Sequence, residues 1–419
     1  MRIAILQDDF PPHSLGGAGI VAIGLAKEMQ RRGHEVLVVT TVRDSAHAGE
    51  GEVDGLRVHR IASAYDLRFQ AFVSLWNVPV VREVKRVLSV FKPDVVHAHN
   101  VHGYLSYRSL VVAKELGARV VLTCHDVMAF NYTKFTDFID QKNLSVPTSF
   151  NYRVNPLRQW RSMRLRYNPF RNIVIRKILR TSVDRIAAVS GAMRQALNDN
   201  GIQNVEVIHN GIDAAAWEVP DEQVSAWKKK FGLGESVILF GGRLSGIKGG
   251  GKLFEAVGKL IADFPDIQIL VVGQAGAYGE QLLQQAGALG FRDRVVFTGW
   301  IGGQELHTAY HAASLVVTPS LCFDSLILVN LEAFACKKPV VTTCFGGAPE
   351  VVEDGVSGFV VNPYNVPMLT DRIRRLLSDR QKMIAFGEKG YARVKSDFSL
   401  SEKADEFEKL FTSLSAEKV

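Results

Sequence analysis

Apolar positions along the chain follow two alternating patterns. Short runs rich in β-branched residues give way to longer stretches whose apolar side chains recur every three or four positions, the signatures of buried strands and amphipathic helices. The runs predict strands over Arg2–Gln7, Glu35–Thr41, Leu56–Ile61, Asp94–His97, Arg119–Thr123 and Arg185–Val189. After the turn-like His209-Asn210-Gly211-Ile212-Asp213, a second series predicts strands over Ser236–Phe240, Ile267–Val272, Val295–Thr298, Leu315–Thr318, Pro339–Thr342 and Phe359–Val361. Each series is long enough for its own parallel sheet covered by helices on both faces, so the fold class is α/β with domains at 1–208 and 209–398. Ser399–Leu414 reads as a helix with Ala404, Phe407, Leu410 and Phe411 on one stripe, able to pack on either domain. Open parallel sheets bind ligands at the loops beyond their strand C-termini, and the glycine clusters fall in those loops.

Composition narrows this only a little. At about 150 residues per domain, 419 residues make two to three units, and 47% apolar with 22% charged residues excludes long disorder, collagen-like repeats and coiled coils. Fifty Lys+Arg against 43 Asp+Glu give a net charge of +7, compatible with an anionic partner. No run approaches the roughly 18 apolar residues of a spanning helix, and Met1–Leu6 is too short for a signal-peptide core, so a cytoplasmic location is expected. Cys124, Cys322, Cys336 and Cys344 form no C-x-x-C pair and read as free thiols.

Two glycine loops carry the candidate chemistry. Asp8–Leu15 and Gly16-Gly17-Ala18-Gly19 precede a helix with Val21, Leu25 and Met29, whose first amides can face an anion. Gly17, Gly19 and Ala22 formally match the dinucleotide pattern G-x-G-x-x-A. The long approach to the first glycine and the absence of an acid after Thr40-Thr41 oppose a dehydrogenase. The second loop, Gly241-Gly242-Arg243-Leu244-Ser245-Gly246-Ile247-Lys248-Gly249-Gly250-Gly251-Lys252, contains G-x-x-x-x-G-K, but Leu253 stands where a P-loop needs a hydroxyl for magnesium. What remains is Arg243 and Lys248 at a strand–helix junction, suited to a diphosphate, or else a basic surface turn.

Asp324 and Glu332 are a carboxylate pair. On a continuous helix their spacing of eight would place them on one face; Asp324 more naturally precedes the helix, as a cap or a ligand contact. Glu332 lies among Leu328, Leu331, Ala333 and Phe334 and must have a partner, either a ribose diol or a structural Arg or Lys.

Taken in order, the first glycine loop, His125-Asp126, Val189-Ser190, Ile208–Asp213, Gly242-Arg243-Leu244 with Lys248-Gly249, the carboxylate pair and Gly346-Gly347-Ala348-Pro349-Glu350 resemble the GT4 family of retaining glycosyltransferases. The resemblance spans nearly the whole chain. It implies the GT-B fold, two Rossmann-like domains facing across a cleft, with a final helix crossing back onto the first. It implies that Arg243 and Lys248 clamp the diphosphate of a UDP- or GDP-sugar, that Glu332 holds the ribose, and that Asp324 and the backbone of Leu326, Ile327 and Leu328 touch the sugar and phosphate. It further implies that Gly16 and Gly17 bring amides to the phosphate, that His125 lies against the transferred sugar, and that the backbone of Trp300 and Ile301 holds the base. Two departures stand out. Asp324 replaces the family's Glu, and Leu326-Ile327 replaces its Phe-Gly, which retracts a carboxylate and narrows the sugar end of the pocket.

The implied reaction is metal-independent glycosyl transfer with retention, needing no cofactor beyond the nucleotide-sugar substrate, to a glycan or lipid-linked acceptor. A nucleotide-sugar epimerase or hydrolase, or an inactive GT-B-like binding partner, are the alternatives. His97, His99 and His102 have a spacing that can bind a transition metal, but hydrogen-bonding roles fit them better because no carboxylate or cysteine beside them completes a set. Residues 153–185 hold ten basic residues against one acid, Asp184, interleaved with Trp160, Tyr167 and Phe170. That pattern suits an anionic membrane surface or a solvated wall; no nucleic-acid motif accompanies it.

Overall fold

The computed structural model describes residues 1–12 and 16–416, and the chain forms two units. Met1–Phe138, Asn151–Gly211 and the residues from Leu400 onward build the first; Ile139–Phe150 and Ile212–Ser399 build the second. Residues Ile139–Phe150 fall inside the range expected for the first domain, yet they pack with the second. There Asn362 donates to the carbonyls of Asn143 and Ser145, both at 2.8 Å, and Phe150 meets Phe345 edge-on.

The first unit holds β1 (Arg2–Gln7), β2 (Glu35–Val42), β3 (Gly49–Val53), β4 (Leu56–Ala62), β5 (Val95–Ala98), β6 (Arg119–Cys124), β7 (Arg185–Ala188) and β8 (Val205–Val207), in the order β3-β4-β2-β1-β5-β6-β7-β8. All neighbours are parallel except β3 with β4. β1 and β2 are buried along almost their whole length, as strands covered on both faces must be, which is why they read as continuous apolar runs. β3 and β8 are absent from the sequence reading. β3 is Gly- and Glu-rich and half exposed, and β8 has only three residues. The hairpin joining β3 to β4 turns on Asp54-Gly55, both with positive φ (49° and 82°), the backbone that a tight Asp-Gly turn requires.

The second unit holds β9 (Val237–Gly241), β10 (Gln268–Val272), β11 (Val295–Phe297), β12 (Leu315–Thr318), β13 (Val340–Thr343) and β14 (Gly358–Val361), all parallel, in the order β11-β10-β9-β12-β13-β14. Strand order reverses between β1 and β5 in the first sheet and between β9 and β12 in the second, the places where open α/β sheets leave a crevice for ligands.

The helix Leu400–Ala416 packs in the core of the first unit. Ala404, Phe407, Leu410 and Phe411 are buried with Ile3, Ile5 and Ala22, and Arg32 binds Asp405 and Glu408 on its outer side.

Candidate functional site

In the second unit, the loops after β9 and β12 are drawn together by backbone contacts that only glycine allows. Gly249, at φ 78°, comes so close to the Pro319 carbonyl that an added Cβ would lie 1.9 Å from its oxygen. The Leu321 amide donates to the Ile247 carbonyl at 2.8 Å, and Gly346, at φ 73°, approaches the Asp324 backbone just as closely from the loop after β13. These contacts seat Lys248 against Asp324. Its Nζ lies 2.9 and 2.8 Å from the two carboxylate oxygens, with both side chains largely buried. Burial alone would push the ammonium down, but Asp324 outweighs it and holds Lys248 above its ordinary value, with the charge of nearby Arg243 opposing. Arg243 is exposed and, among the described residues, has no ion-pair partner.

Asp324 does not cap the following helix, Leu328–Ala335. The N-cap is Ile327, without a side-chain hydrogen bond, because residues 320–327 run as a loop that points the carboxylate at Lys248 instead. The two carboxylates therefore do not share a helix face. Leu326 and Ile327 are buried, and Leu328 opens the helix half-buried. Glu332, one turn further, finds neither Arg nor Lys among the described residues: the buried Tyr310 hydroxyl donates to its Oε2. Burial raises the Glu332 carboxyl above the usual range, and this hydrogen bond offsets part of the rise. Nothing in the pattern around Tyr310 signalled this role. Nor did the sequence reading find the buried network of Thr318, Asn330 and Thr342 beneath the same helix, held by bonds of 2.8 to 3.1 Å. Trp300 is exposed and Ile301 half-exposed in the loop after β11, where Gly299, at φ 73°, bridges to Gly273 after β10.

In the first unit, Gly16 precedes the helix Gly17–Arg31 and accepts from Ile20 at 3.1 Å, while Gly17 is exposed. Gly19 must be glycine, since a Cβ there would meet the Asp9 carbonyl oxygen at 2.7 Å. Of the approach Asp8–Leu15, residues 13–15 lie outside the described residues. Asp8 itself is a residue that sequence reading passed over. Its buried carboxylate accepts from the amides of Gly103, Tyr104 and Leu105 at 2.5 to 2.9 Å, tying the end of β1 to the loop after β5. An acid directly after an apolar strand was its only signal.

The histidines make a ladder. His97 Nε2 pairs with Thr123 Oγ1 at 2.7 Å, the His97 and His99 rings lie 4.3 Å apart, and His99 Nδ1 shares a hydrogen bond with His125 Nε2 at 2.8 Å. Burial pushes all three down, His97 to about 3, His125 to about 4 and His99 well below its ordinary value, so the ladder is neutral near pH 7. His102 is directed elsewhere, toward Asp126 at 3.5 Å. Among the described residues no group of three or more His, Cys, Asp or Glu is placed to hold a metal ion.

Two open α/β sheets, each with a strand-order reversal, and a cationic and carboxylate pair at that of the second, give the chain the GT-B fold. Residues 15–216 match Glycosyltransferase Family 4 and residues 221–393 match the glycosyl transferases group 1, and the chain belongs to this family of GT4-type enzymes. It is similar to an uncharacterized glycosyltransferase of Methanocaldococcus jannaschii, 28% identical over 403 residues and 90% of each chain. It is also similar to glycogen synthase of Mycobacterium tuberculosis, 26% identical over 418 residues, covering 95% of this chain and 91% of the other. Among solved structures it resembles Anabaena HepE in complex with UDP and glucose, with a TM-score of 0.74, 21% identity, and coverage of 99% of this chain and 100% of that one.

Proposed function

We propose that this glycosyltransferase moves a sugar from a UDP- or GDP-sugar to a glycan or lipid-linked acceptor, with retention at the anomeric carbon and without a metal or other cofactor. The observation that carries the reading is the Lys248–Asp324 pair beside the exposed Arg243, in loops that meet where strand order reverses. A departing nucleoside diphosphate needs fixed positive charge, and Lys248 with Arg243 supplies it next to the one carboxylate suited to the sugar. The bond from the anomeric carbon to the phosphate oxygen breaks, the acceptor oxygen bonds on the same face, and the leaving phosphate takes the acceptor's proton. Glu332 takes the ribose, the backbone of Leu326, Ile327 and Leu328 the sugar and phosphate, and the backbone of Trp300 and Ile301 the base. Gly16 and Gly17 contribute amides to the phosphate, and His125 contacts the sugar. The UDP and glucose of the HepE complex and the sugar-polymer synthesis named for the mycobacterial relative support this donor class.

The test is a panel of UDP- and GDP-sugars followed by melting temperature and by release of nucleoside diphosphate, with and without glycan acceptors. One donor should raise the melting temperature, as binding to the native state must, and release should depend on acceptor. Full-rate release without acceptor would make the protein a hydrolase or epimerase; binding without turnover on any acceptor would make it a binding partner.

A further inference from the structure

The first unit carries an exposed apolar and basic surface that includes none of the residues assigned above to the donor. Among the described residues, nine of the eighteen exposed large apolar side chains fall in two short segments, 67–76 and 157–173. Leu67, Phe69, Phe72 and Trp76 stand out from the first, with Trp76 at 62% exposure; in the second, Phe170 is 67% exposed and Leu165 is completely exposed. The segments are adjacent in space. Asn168 Nδ2 donates to the Ala71 carbonyl at 3.3 Å, and Asp66, held low chiefly by its bond to Arg68, also feels the charge of Arg166.

The charge on this face is mostly positive, with Asp66, paired to Arg68, as an acid at its edge. Between Asp140 and Asp184 the chain contains no Asp or Glu. Part of its basicity is internal: Arg171 is buried, donating to the carbonyls of Met128 and Asn131 and to Asn172, with its guanidinium over the Tyr132 ring at 4.8 Å. Arg153, Arg158, Arg161, Arg164 and Arg166 remain exposed and, among the described residues, without an ion-pair partner. The helices Pro156–Met163 and Arg171–Ser182 thus divide, with Gln159, Arg171, Ile175 and Leu179 inward and a mixed arginine, aromatic and leucine face outward.

We propose that segments 67–76 and 157–173 together form a docking surface for an anionic lipid bilayer. Aliphatic tips flanked by guanidinium groups, as in Arg164-Leu165-Arg166, suit a boundary where the apolar tip enters the acyl layer and the cations stay among anionic headgroups. Trp76 and Trp160 are the residue type favoured at that depth. A nucleic acid would use the arginines and aromatics but leave the leucines in water. No helix among the described residues is long and apolar enough to cross a membrane. The inference extends the sequence expectation for residues 153–185 by a second segment and does not depend on the donor.

The test is co-sedimentation of the full chain with vesicles of phosphatidylcholine alone and of phosphatidylcholine containing phosphatidylglycerol, at low and raised salt. Three double variants are compared: F69S with W76S, L165S with F170S, and R161A with R164A, each checked for an unchanged melting temperature. Binding is expected only to the anionic vesicles. Each apolar double variant should lose at least about tenfold in partitioning although its charge is unchanged, and the arginine variant should lose affinity most at low salt. Absence of binding by the parent chain would overturn the proposal. So would apolar variants that bind like the parent, loss on changing one segment but not the other, or self-association or DNA binding that these substitutions abolish in place of vesicle binding. No donor or acceptor enters the measurement, so its failure is separate from failure of the transferase reading.

Discussion

Lys248 Nζ contacts both carboxylate oxygens of Asp324, at 2.9 and 2.8 Å, in a pair largely withdrawn from water. The cation assigned to the diphosphate is thus already neutralised by the carboxylate assigned to the sugar. A bound diphosphate must share the lysine with Asp324. Asp324→Asn should therefore tighten binding of free UDP or GDP several-fold while lowering turnover. Lys248→Ala should weaken it by about tenfold or more and, by removing the cation that faces a buried carboxylate, cost about 3 kcal/mol of stability. Calorimetry with both nucleotides and chemical denaturation check this; unchanged affinity in both variants would remove the pair from diphosphate recognition.

Arg243 gives a cleaner readout because it is exposed and, among the described residues, has no ion-pair partner. Arg243→Ala should leave stability within about 0.5 kcal/mol of the parent. Its nucleotide affinity should fall by about tenfold, the worth of a charge-assisted hydrogen bond. A melting temperature that drops while affinity holds would make Arg243 a structural residue.

Glu332 connects burial to pH. Its carboxyl is raised by burial, so the native state holds that proton more tightly than the unfolded chain does. The contribution to stability is complete below the ordinary glutamate range and is lost as pH rises through the folded value. Relative to the parent, Glu332→Gln should gain stability with rising pH from about pH 4 upward, measured as melting temperature in a pH series. If Glu332 also holds the ribose, the parent should discriminate between a nucleotide and its deoxyribose analogue and the variant should not.

The histidine ladder has the opposite sign. With His97 depressed to about 3, His125 to about 4, and His99 depressed as well, the unfolded chain takes up protons first as pH falls. Stability is present above about pH 6.5 and lost on acidification toward the folded values, by about 1 kcal/mol or more for the enclosed His97 by pH 5, with His99 acting in the same direction. His99→Gln should make the fall of the urea midpoint between these pH values shallower. A slope identical to the parent's would mean that His99 is not what resists protonation.

Strands and glycine loops were legible because their causes are local. A strand buried on both faces must be apolar throughout, as β1 and β12 are, and a loop pressed against another backbone must be glycine, as Gly249 is against Pro319. Lys248 and Asp324 could be named from sequence, but their pairing could not, because it depends on β9 and β12 lying side by side although β10 and β11 separate them in the chain. Tyr310 was invisible for the same reason: its hydroxyl reaches Glu332 from another helix. Asp8 serves three amides of a segment that sequence places far away. The outward face around Trp76 escaped notice because its apolar residues, read alone, look like an ordinary amphipathic segment.

The last helix has a consequence for how the protein comes into being. Phe407 and Phe411 cover His97, with ring centroids at 4.7 and 5.4 Å, yet they are synthesised after the entire second unit. On the ribosome the first unit must wait, its β-sheet lacking one wall, until Leu400 and the residues beyond it emerge. A chain halted before that point would keep an intact second unit and a first unit prone to aggregate, so neither half can be cut out as one uninterrupted stretch.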